Sequence, residues 1–485
     1  MEIMHLQDLE EIAQNSGHFP LRPAQVKALR AWRDGRNLLL VWPTGSGKSL
    51  CYQLPALVSP GLTLVISPLI ALMEDQVQKA RTLKWPMTCV HSAVSKEERA
   101  ARLKRVREGK IKLLYVTPER FRQPEFQELM REVNVSLLAV DEAHCISQWG
   151  HDFRPDYSRL GEIRSSLGNP QVIALTATAT REVQQDILAQ LGVAESAEVF
   201  WEGVERPNLH LAAEEYEHED EKRVAALKWL ADVKGPKILY FTLISTLEKT
   251  SEWLESKGLP HKTYHGDLED RVRKRHQHEF LNGTAELMLA TPAFGLGVDK
   301  ADIRGVGHFE IPGSLEAYFQ EVGRAGRDQQ PSHCRLFYCQ SDLETQMRFI
   351  ESLTPDPDFI RATHKLLVSW KDRLNMVSLD DMREQLSFKN KRDYRLETAL
   401  SFMDRWGVIR FPHRRLDKLE FLRDLEDSDV SDELWKKRKL SLQKKLMSLV
   451  QWFRSEQCRK VGINTYFGWP DSKPCGFCDR CEENG

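Results

Sequence analysis

The stretch Asn37-Leu38-Leu39-Leu40-Val41-Trp42-Pro43-Thr44-Gly45-Ser46-Gly47-Lys48-Ser49 decides how the first half of this chain is read. Its apolar part is far too short to cross a membrane and stops at a proline, as a strand buried on both faces does. A glycine-rich turn ending in lysine and serine follows. Glycines let successive backbone N–H groups curl round phosphates, lysine neutralises the β- and γ-phosphates of ATP, and a serine hydroxyl ligates Mg²⁺. Thr44, Gly45, Ser46, Gly47, Lys48 and Ser49 are therefore the candidate ATP-binding loop. The strict pattern has glycine where this chain has Trp42, so the loop alone does not separate a nucleotide site from an ordinary Gly-Ser turn.

Working outward, short β-rich runs recur at 37–42, 62–67, 112–117, 136–141 and 172–176, with helical or loop stretches between them. That alternation predicts a parallel sheet with crossovers. Asp141-Glu142-Ala143-His144 ends the fourth run, which places Asp141 at the carboxyl end of a strand, where such sheets bind ligands. An aspartate there holds Mg²⁺, and the adjacent glutamate orients or deprotonates the attacking water. Asp141, Glu142 and His144 thus join Lys48 as catalytic candidates. A second series of strands, at 237–242, 261–264, 286–290, 305–309 and 333–338, follows the loop-like Arg206-Pro207-Asn208. In this series Gln320-Glu321-Val322-Gly323-Arg324-Ala325-Gly326-Arg327 carries two arginines three apart, read as sharing a helix face and reaching the γ-phosphate from the opposite lobe.

The chain has 485 residues, enough for about three folding units at roughly 100–200 residues per domain. A net charge of −2 gives no global case for nucleic acid, so phosphate contacts must come from local patches. The amino terminus lacks the cationic-then-apolar order of a signal peptide, and a cytoplasmic protein is expected. Beyond about Asp342 the pattern turns helical, with candidates at 358–370, 379–386 and 391–406. Capping-box spacing occurs at Ser378/Asp381 and Asn390/Asp393, and Gly407 fits a helix stop. Short β-like pieces at 408–411 and 419–422 complete a set that suggests a winged-helix module. Lys391, Arg392 and Arg395, near the start of its third helix, are candidate duplex contacts, with Lys436-Lys437-Arg438-Lys439 a competing basic run. A longer helix is expected over 433–453. Five of the nine cysteines are scattered like reduced core residues. Cys458, Cys475, Cys478 and Cys481 instead have the spacing C-x16-C-x2-C-x2-C, which suits a closed, structural Zn²⁺ site.

Together these motifs resemble the RecQ family of superfamily 2 helicases, over roughly Phe19–Tyr338. The resemblance extends through Leu21-Arg22-Pro23-Ala24-Gln25, Ser67–Met73, Thr117-Pro118-Glu119-Arg120, Ala174–Thr180 and Ala290–Lys300. It implies that Gln25 meets the adenine edge with Arg22 beside it. It also implies that Thr176 and Thr178 couple hydrolysis to lobe movement and that Asp299 approaches the ribose. Cys145–Pro155 resembles the aromatic-rich loop that sets RecQ enzymes apart, where Trp149 and Phe153 offer stacking faces and His151 and Arg154 reach phosphate. Two departures stand out. Tyr240-Phe241-Thr242-Leu243 lacks the polar cluster usual in the fourth motif. Residues 344–430 stand between the second lobe and the cysteines, where the family places zinc first, so the chain reads as a short form with zinc at its extreme end.

The expected architecture is α/β: two tandem RecA-like parallel-sheet domains (1–206 and 207–343), a winged-helix module (344–430), and a helix with a zinc-binding tail (431–485). The expected activity is ATP-dependent 3′–5′ translocation on single-stranded DNA with duplex unwinding, in repair and recombination. ATP, Mg²⁺ and Zn²⁺ are the expected cofactors, and single-stranded and duplex DNA the partners of a monomer with no membrane association. An RNA helicase shares the ATPase motifs but not the aromatic loop and cysteines. A nucleic-acid adaptor with a dead motor sits badly with intact Lys48, Glu142 and Arg327.

Overall fold

In the computed structural model of the protein, residues 6–16, 20–91, 93–147, 155–202, 206–295, 300–386, 394–411 and 416–483 are described. Seven strands build the first sheet: β1 (Asn37–Val41), β2 (Leu62–Ile66), β3 (Met87–Val90), β4 (Leu113–Val116), β5 (Val135–Val140), β6 (Gln171–Thr176) and β7 (Ala197–Trp201). They lie in the order β3-β4-β2-β5-β6-β1-β7, and every neighbouring pair is parallel. Side chains alternate between two cores because strand periodicity is two. Leu39, Val41, Leu64 and Ile66 enter one, while Leu38, Leu40, Trp42 and Val65 enter the other. Each such side chain contributes about 1.5–3 kcal/mol on burial. Trp42, which stands where a glycine was wanted, is 1% exposed and serves as core.

The second sheet contains β8 (Leu209–Tyr216), β9 (Lys237–Tyr240), β10 (Lys262–Tyr264), β11 (Leu287–Ala290), β12 (Gly305–His308) and β13 (Ser332–Cys339), in the order β10-β11-β9-β12-β13-β8. Trp229, Leu239, Phe241, Phe309 and Phe337 pack one of its faces. The five expected strands of each series are present, and β3, β7 and β8 are additional. β7 is an edge strand with a half-exposed pattern, and β8 also lies at an edge. Neither has the continuous apolar run that marks a central strand.

Residues 1–310, 316–338 and 452–485 group as one compact unit, and residues 311–315 and 339–451 as another. Within the latter, helices Gln340–Leu353, Pro357–Ser369, Leu379–Leu386 and Arg395–Arg405 accompany a short antiparallel pair, β14 (Ile409–Arg410) with β15 (Glu420–Phe421). Ile360, Leu367, Met382, Leu400, Met403 and Trp435 form its core. The Ser378 capping box is realised: Asp381 N–H donates to Ser378 Oγ (3.2 Å), and Ser378 N–H donates to Asp381 Oδ2 (2.7 Å). Gly407 takes φ +71° at the end of its helix, the left-handed stop expected of it. Asn390 and Asp393 lie outside the described residues. Among the described residues no helix is long and apolar enough to cross a membrane.

Candidate active site and metal centre

β1, β6 and β5 are consecutive in the sheet, so the loop leaving β1, Thr176 ending β6 and the tetrad leaving β5 emerge side by side. In the loop, Gly45 and Gly47 take φ +78° and +77°, a region that side chains with a Cβ rarely enter. A Cβ on Gly47 would also lie 2.6 Å from Gln25 Nε2. Gln25, 3% exposed, braces the loop from behind: its Nε2 donates to Gly47 O (3.0 Å) and its Oε1 accepts from Arg22 N–H (2.8 Å). Lys48 Nζ donates to the carbonyls of Trp42 (2.7 Å) and Pro43 (3.1 Å). Burial lowers the Lys48 ammonium pKa, while Glu142 and Asp141 act to raise it. Among the described residues, the buried Ser46 hydroxyl has no hydrogen-bond partner, an orphan at the crest of the loop that an anion's oxygen would satisfy.

Burial and the neighbouring Glu142 push the Asp141 carboxyl up to about 7, against the pull of Lys48. Glu142 sits at φ +49°, a strained conformation for glutamate costing about 1–3 kcal/mol. Its carboxylate lies 3.3 Å from His144 Nδ1, and that nitrogen is 2.9 Å from Thr176 Oγ1. Thr176 Oγ1 in turn lies 3.1 Å from Thr178 O and accepts from Thr178 N–H (3.2 Å), so His144 Nδ1 faces the Glu142 carboxylate on one side and the end of β6 on the other. The tetrad is thereby wired to the end of β6.

The second sheet supplies the arginines. The helix Leu315–Val322 ends before Gly323, so Arg324 and Arg327 stand on a turn and not on the shared helix face expected from their spacing. Glycines at 323 and 326 stop the helix there. Both arginines nonetheless line one cleft of about 390 Å³ together with Thr44, Lys48, Ser49, Asp141 and Glu142. Arg324 is 6% exposed and donates to Gly295 O. The Arg327 stem lies 3.4 Å from where a Cβ on Gly45 would be, and Thr44 Oγ1 donates to Gly323 O (2.9 Å). Sequence reasoning passed over Arg206 and Asn208, whose side chains donate to the carbonyls of this turn. It also passed over Glu310, whose carboxylate accepts from the N–H groups of Thr242 (2.8 Å) and Leu243 (2.9 Å) in the weak fourth motif. A polar residue close to a lone proline was the only signal at either place.

Trp149, His151, Phe153, Arg154, Asp299, Lys391 and Arg392 lie outside the described residues. Arg395 is half-buried with its guanidinium 4.9 Å from the Phe359 ring centre. In the competing run, Arg438 lies over Phe402 at 5.3 Å, and burial lowers its pKa to about 10.

The four carboxyl-terminal thiols converge, with all sulphurs within 4.8 Å of one another, including 3.9 Å for Cys478–Cys458 and 4.0 Å for Cys475–Cys481. Tetrahedral thiolates about 2.3 Å from Zn²⁺ stand roughly 3.8 Å apart, so the donor set fits that ion. Burial acts to raise the Cys458 thiol, but N–H groups of Val461 and Cys475 hold it down at about 7, while burial pushes the Cys475 and Cys478 thiols up. Cys458 caps the helix Arg459–Tyr466, the next one after the long helix Asp432–Arg454. Arg459, wholly buried, pairs with Asp479 through both oxygens (2.8 Å each), and Asp479 Oδ2 also accepts from Ala213 N–H of β8. Trp469 stacks on Trp201 of β7 at 5.3 Å, and Phe467 meets Phe319 at 5.8 Å. The tail thus touches both sheets' domains.

Three family models match: DEAD/DEAH box helicase over residues 22–186, helicase conserved C-terminal domain over 221–329, and RecQ zinc-binding over 417–482. The chain is 34% identical to the ATP-dependent DNA helicase RecQ of Synechocystis over 496 residues, covering 98% of each. It is 39% identical to the probable ATP-dependent DNA helicase RecS of Bacillus subtilis, covering 76% of this chain and 75% of that one. With RecQ of Pasteurella multocida it shares 40% identity over 96% of this chain, but spans only 60% of that relative's length. Among solved structures, the DNA-bound helicase MrfA aligns at TM-score 0.57 with 20% identity, covering 71% of this chain and 52% of that one. Lhr of Mycobacterium smegmatis aligns at 0.56 with 18% identity, covering 83% and 58%. Those two likenesses bear on the fold, which is that of two RecA-like domains. Motor motifs on two parallel sheets, a zinc-binding segment and one relative matched nearly end to end agree: the chain belongs to the RecQ family of ATP-dependent DNA helicases.

Proposed function

We propose that this helicase couples ATP hydrolysis to 3′–5′ translocation on single-stranded DNA and to duplex unwinding, in repair and recombination. The observation that carries the reading is the single cleft in which the phosphate loop and Asp141–Glu142 of one domain face the arginine turn of the other. Lys48 exchanges its loop carbonyls for the β- and γ-phosphates, and Gly45–Gly47 present N–H groups to them. Ser49 and Asp141, a hydroxyl and a carboxylate in the same cleft, would hold Mg²⁺; these are the hard oxygen donors it prefers. When bound, that ion neutralises charge developing on the phosphate oxygens. Glu142 orients the attacking water and takes its proton, with His144 steadying the carboxylate. Arg327 stabilises the transition state from across the cleft, with Arg324 setting the turn beside it. Gln25 keeps a free position at each end of its amide for the adenine edge, and Asp299 approaches the ribose.

Hydrolysis loosens the arginine turn from the phosphate loop, and Thr176 carries the change from His144 to Thr178. Trp149, His151, Phe153 and Arg154 sense the single strand, and Lys391, Arg392 and Arg395 of a winged-helix module over 344–430 meet the duplex. Cys458, Cys475, Cys478 and Cys481 would hold Zn²⁺ as a closed structural set with no open position for catalysis. The test is ATP turnover by the full chain alone, with single-stranded DNA, and with RNA of the same sequence. Strong stimulation by DNA is expected. Equal stimulation by RNA, or none by DNA, would defeat the reading.

A further inference from the structure

The backbone leaves the first sheet at Trp201 and enters the second at Leu209, so residues 202–208 form the covalent link between the two RecA-like domains. Arg206 in that link is 6% exposed, yet its guanidinium is spent on backbone carbonyls: Nη1 donates to Gly323 O (3.1 Å), and Nη2 to Ala325 O (2.5 Å) and Gly326 O (2.8 Å). Two residues on, Asn208 Nδ2 donates to Gly326 O (2.8 Å) and Gln330 O (2.9 Å). Every one of these carbonyls belongs to the turn that carries Arg324 and Arg327 or to its immediate exit.

The Gly323 oxygen is shared. It accepts from Thr44 Oγ1 of the phosphate loop (2.9 Å) as well as from Arg206, so loop, link and arginine turn meet at one atom. Nothing larger than hydrogen fits there: a Cβ on Gly323 would lie 2.6 Å from Thr44 Oγ1, and one on Gly326, at φ +55°, would lie 2.4 Å from Asn208 Nδ2. Packing this close is unnecessary for a turn that only needs to end a helix. A buried cation is costly unless its hydrogen bonds do something for it, and here they fix the one turn whose arginine must reach across the cleft.

We propose that Arg206 is a positioning residue for ATP hydrolysis: by bridging three carbonyls of the arginine turn from the interdomain link, it makes the aim of Arg327 follow the link whenever the domains close. This rests on the reading of Arg327 above as the group that stabilises the transition state. A guanidinium presents its donors in one rigid plane and can span the three oxygens together, which the single-point ammonium of lysine cannot.

The test uses the full chain carrying Arg206→Lys, Arg327→Ala and both together. DNA-stimulated turnover of Arg206→Lys is expected to fall on the order of tenfold, because small misplacements of a reacting group are costly. Its KM for ATP and its affinity for a non-hydrolysable ATP analogue stay within about twofold, while affinity for ADP–aluminium fluoride, which mimics the transition state, falls with the turnover. The double variant is expected to be no slower than Arg327→Ala alone, because residues acting through one another are not additive. Losses that multiply in the double variant would overturn the proposal while leaving the Arg327 assignment intact. So would equal losses of analogue and transition-state affinity with a lowered melting temperature, which would mark a purely structural role. Normal turnover by Arg327→Ala would instead remove the assignment on which the proposal stands. If Arg206→Lys does not fold, Asn208→Ala, which withdraws two donors from the same turn, is read by the same measurements.

Discussion

In the nucleotide cleft, Lys48 rests on two carbonyls of its own loop, the Ser46 hydroxyl has no partner among the described residues, and Glu142 is held in a left-handed conformation. In the cysteine tail, the four thiols face one another, and Arg459 and Asp479 satisfy each other through two bonds. On the proposed function, the cleft's polar groups change partners with a ligand that comes and goes. The tail's are arranged once, around a centre that stays. The same physics explains both: buried polar groups need partners, and a site that must turn over keeps some of them exchangeable.

The largest effect that sharpens this contrast is on Lys48. Lys48→Ala removes one phosphate counter-charge and no core volume, so ATP hydrolysis should be abolished with the fold retained; measurable turnover would break the account of the cleft. Next in size is Cys478→Ser. Structural zinc contributes about 10–16 kcal/mol in small zinc peptides, so loss of one thiolate should lower metal content and make residues 452–483 protease-sensitive. Trp469 fluorescence should shift as it leaves Trp201. A fully metal-loaded, protease-resistant variant would show that the tail holds itself together by packing alone.

A smaller effect runs in the opposite direction. The Asp141 carboxyl is raised to about 7 from an ordinary 3.8, so the folded chain binds a proton there that the unfolded chain has released. Between those values stability falls as pH rises, and above about 7 the full penalty is present. Asp141→Asn should therefore raise the melting temperature of the ligand-free protein at pH 8, at about 2–4 °C per kcal/mol, and do so less at pH 5, while turnover is lost. A variant that melts lower at both values would contradict the burial argument. Smallest is the joint neutralisation of Arg392, Arg395 and Lys389, the lysine that precedes them in the sequence, which should weaken duplex binding and flatten its salt dependence by about one unit of slope for each phosphate left without its counter-charge. An unchanged slope would assign these residues to solvent.

The grouping of Lys48 and Ser49 with Asp141 and Glu142 in one cleft was legible because Pro43–Ser49 and Asp141–His144 are contiguous, and each follows a strand whose apolar run is unmistakable. The cysteines were legible for the same reason, three of them lying within residues 475–481. What bracing each side chain receives was not. Gln25 behind Gly47, Arg206 against Gly323 and Glu310 capping Thr242 each pair residues far apart in the chain, and nothing local announces them. The arginine spacing suggested a helix face because i and i+3 neighbours share one; the glycines beside them end the helix instead. Edge strands β7 and β8 were missed because half-exposed strands lack a continuous apolar run.

Strand separation on tailed duplexes tests the central claim most directly: that the cleft between the two domains is an ATP-driven motor acting on DNA. Wild-type protein with ATP should open a duplex bearing a 3′ single-stranded tail and leave the 5′-tailed duplex closed. Glu142→Gln, which keeps ATP binding but loses the group that takes the water's proton, should open neither. Separation of the 3′-tailed duplex by Glu142→Gln at the wild-type rate would contradict the account.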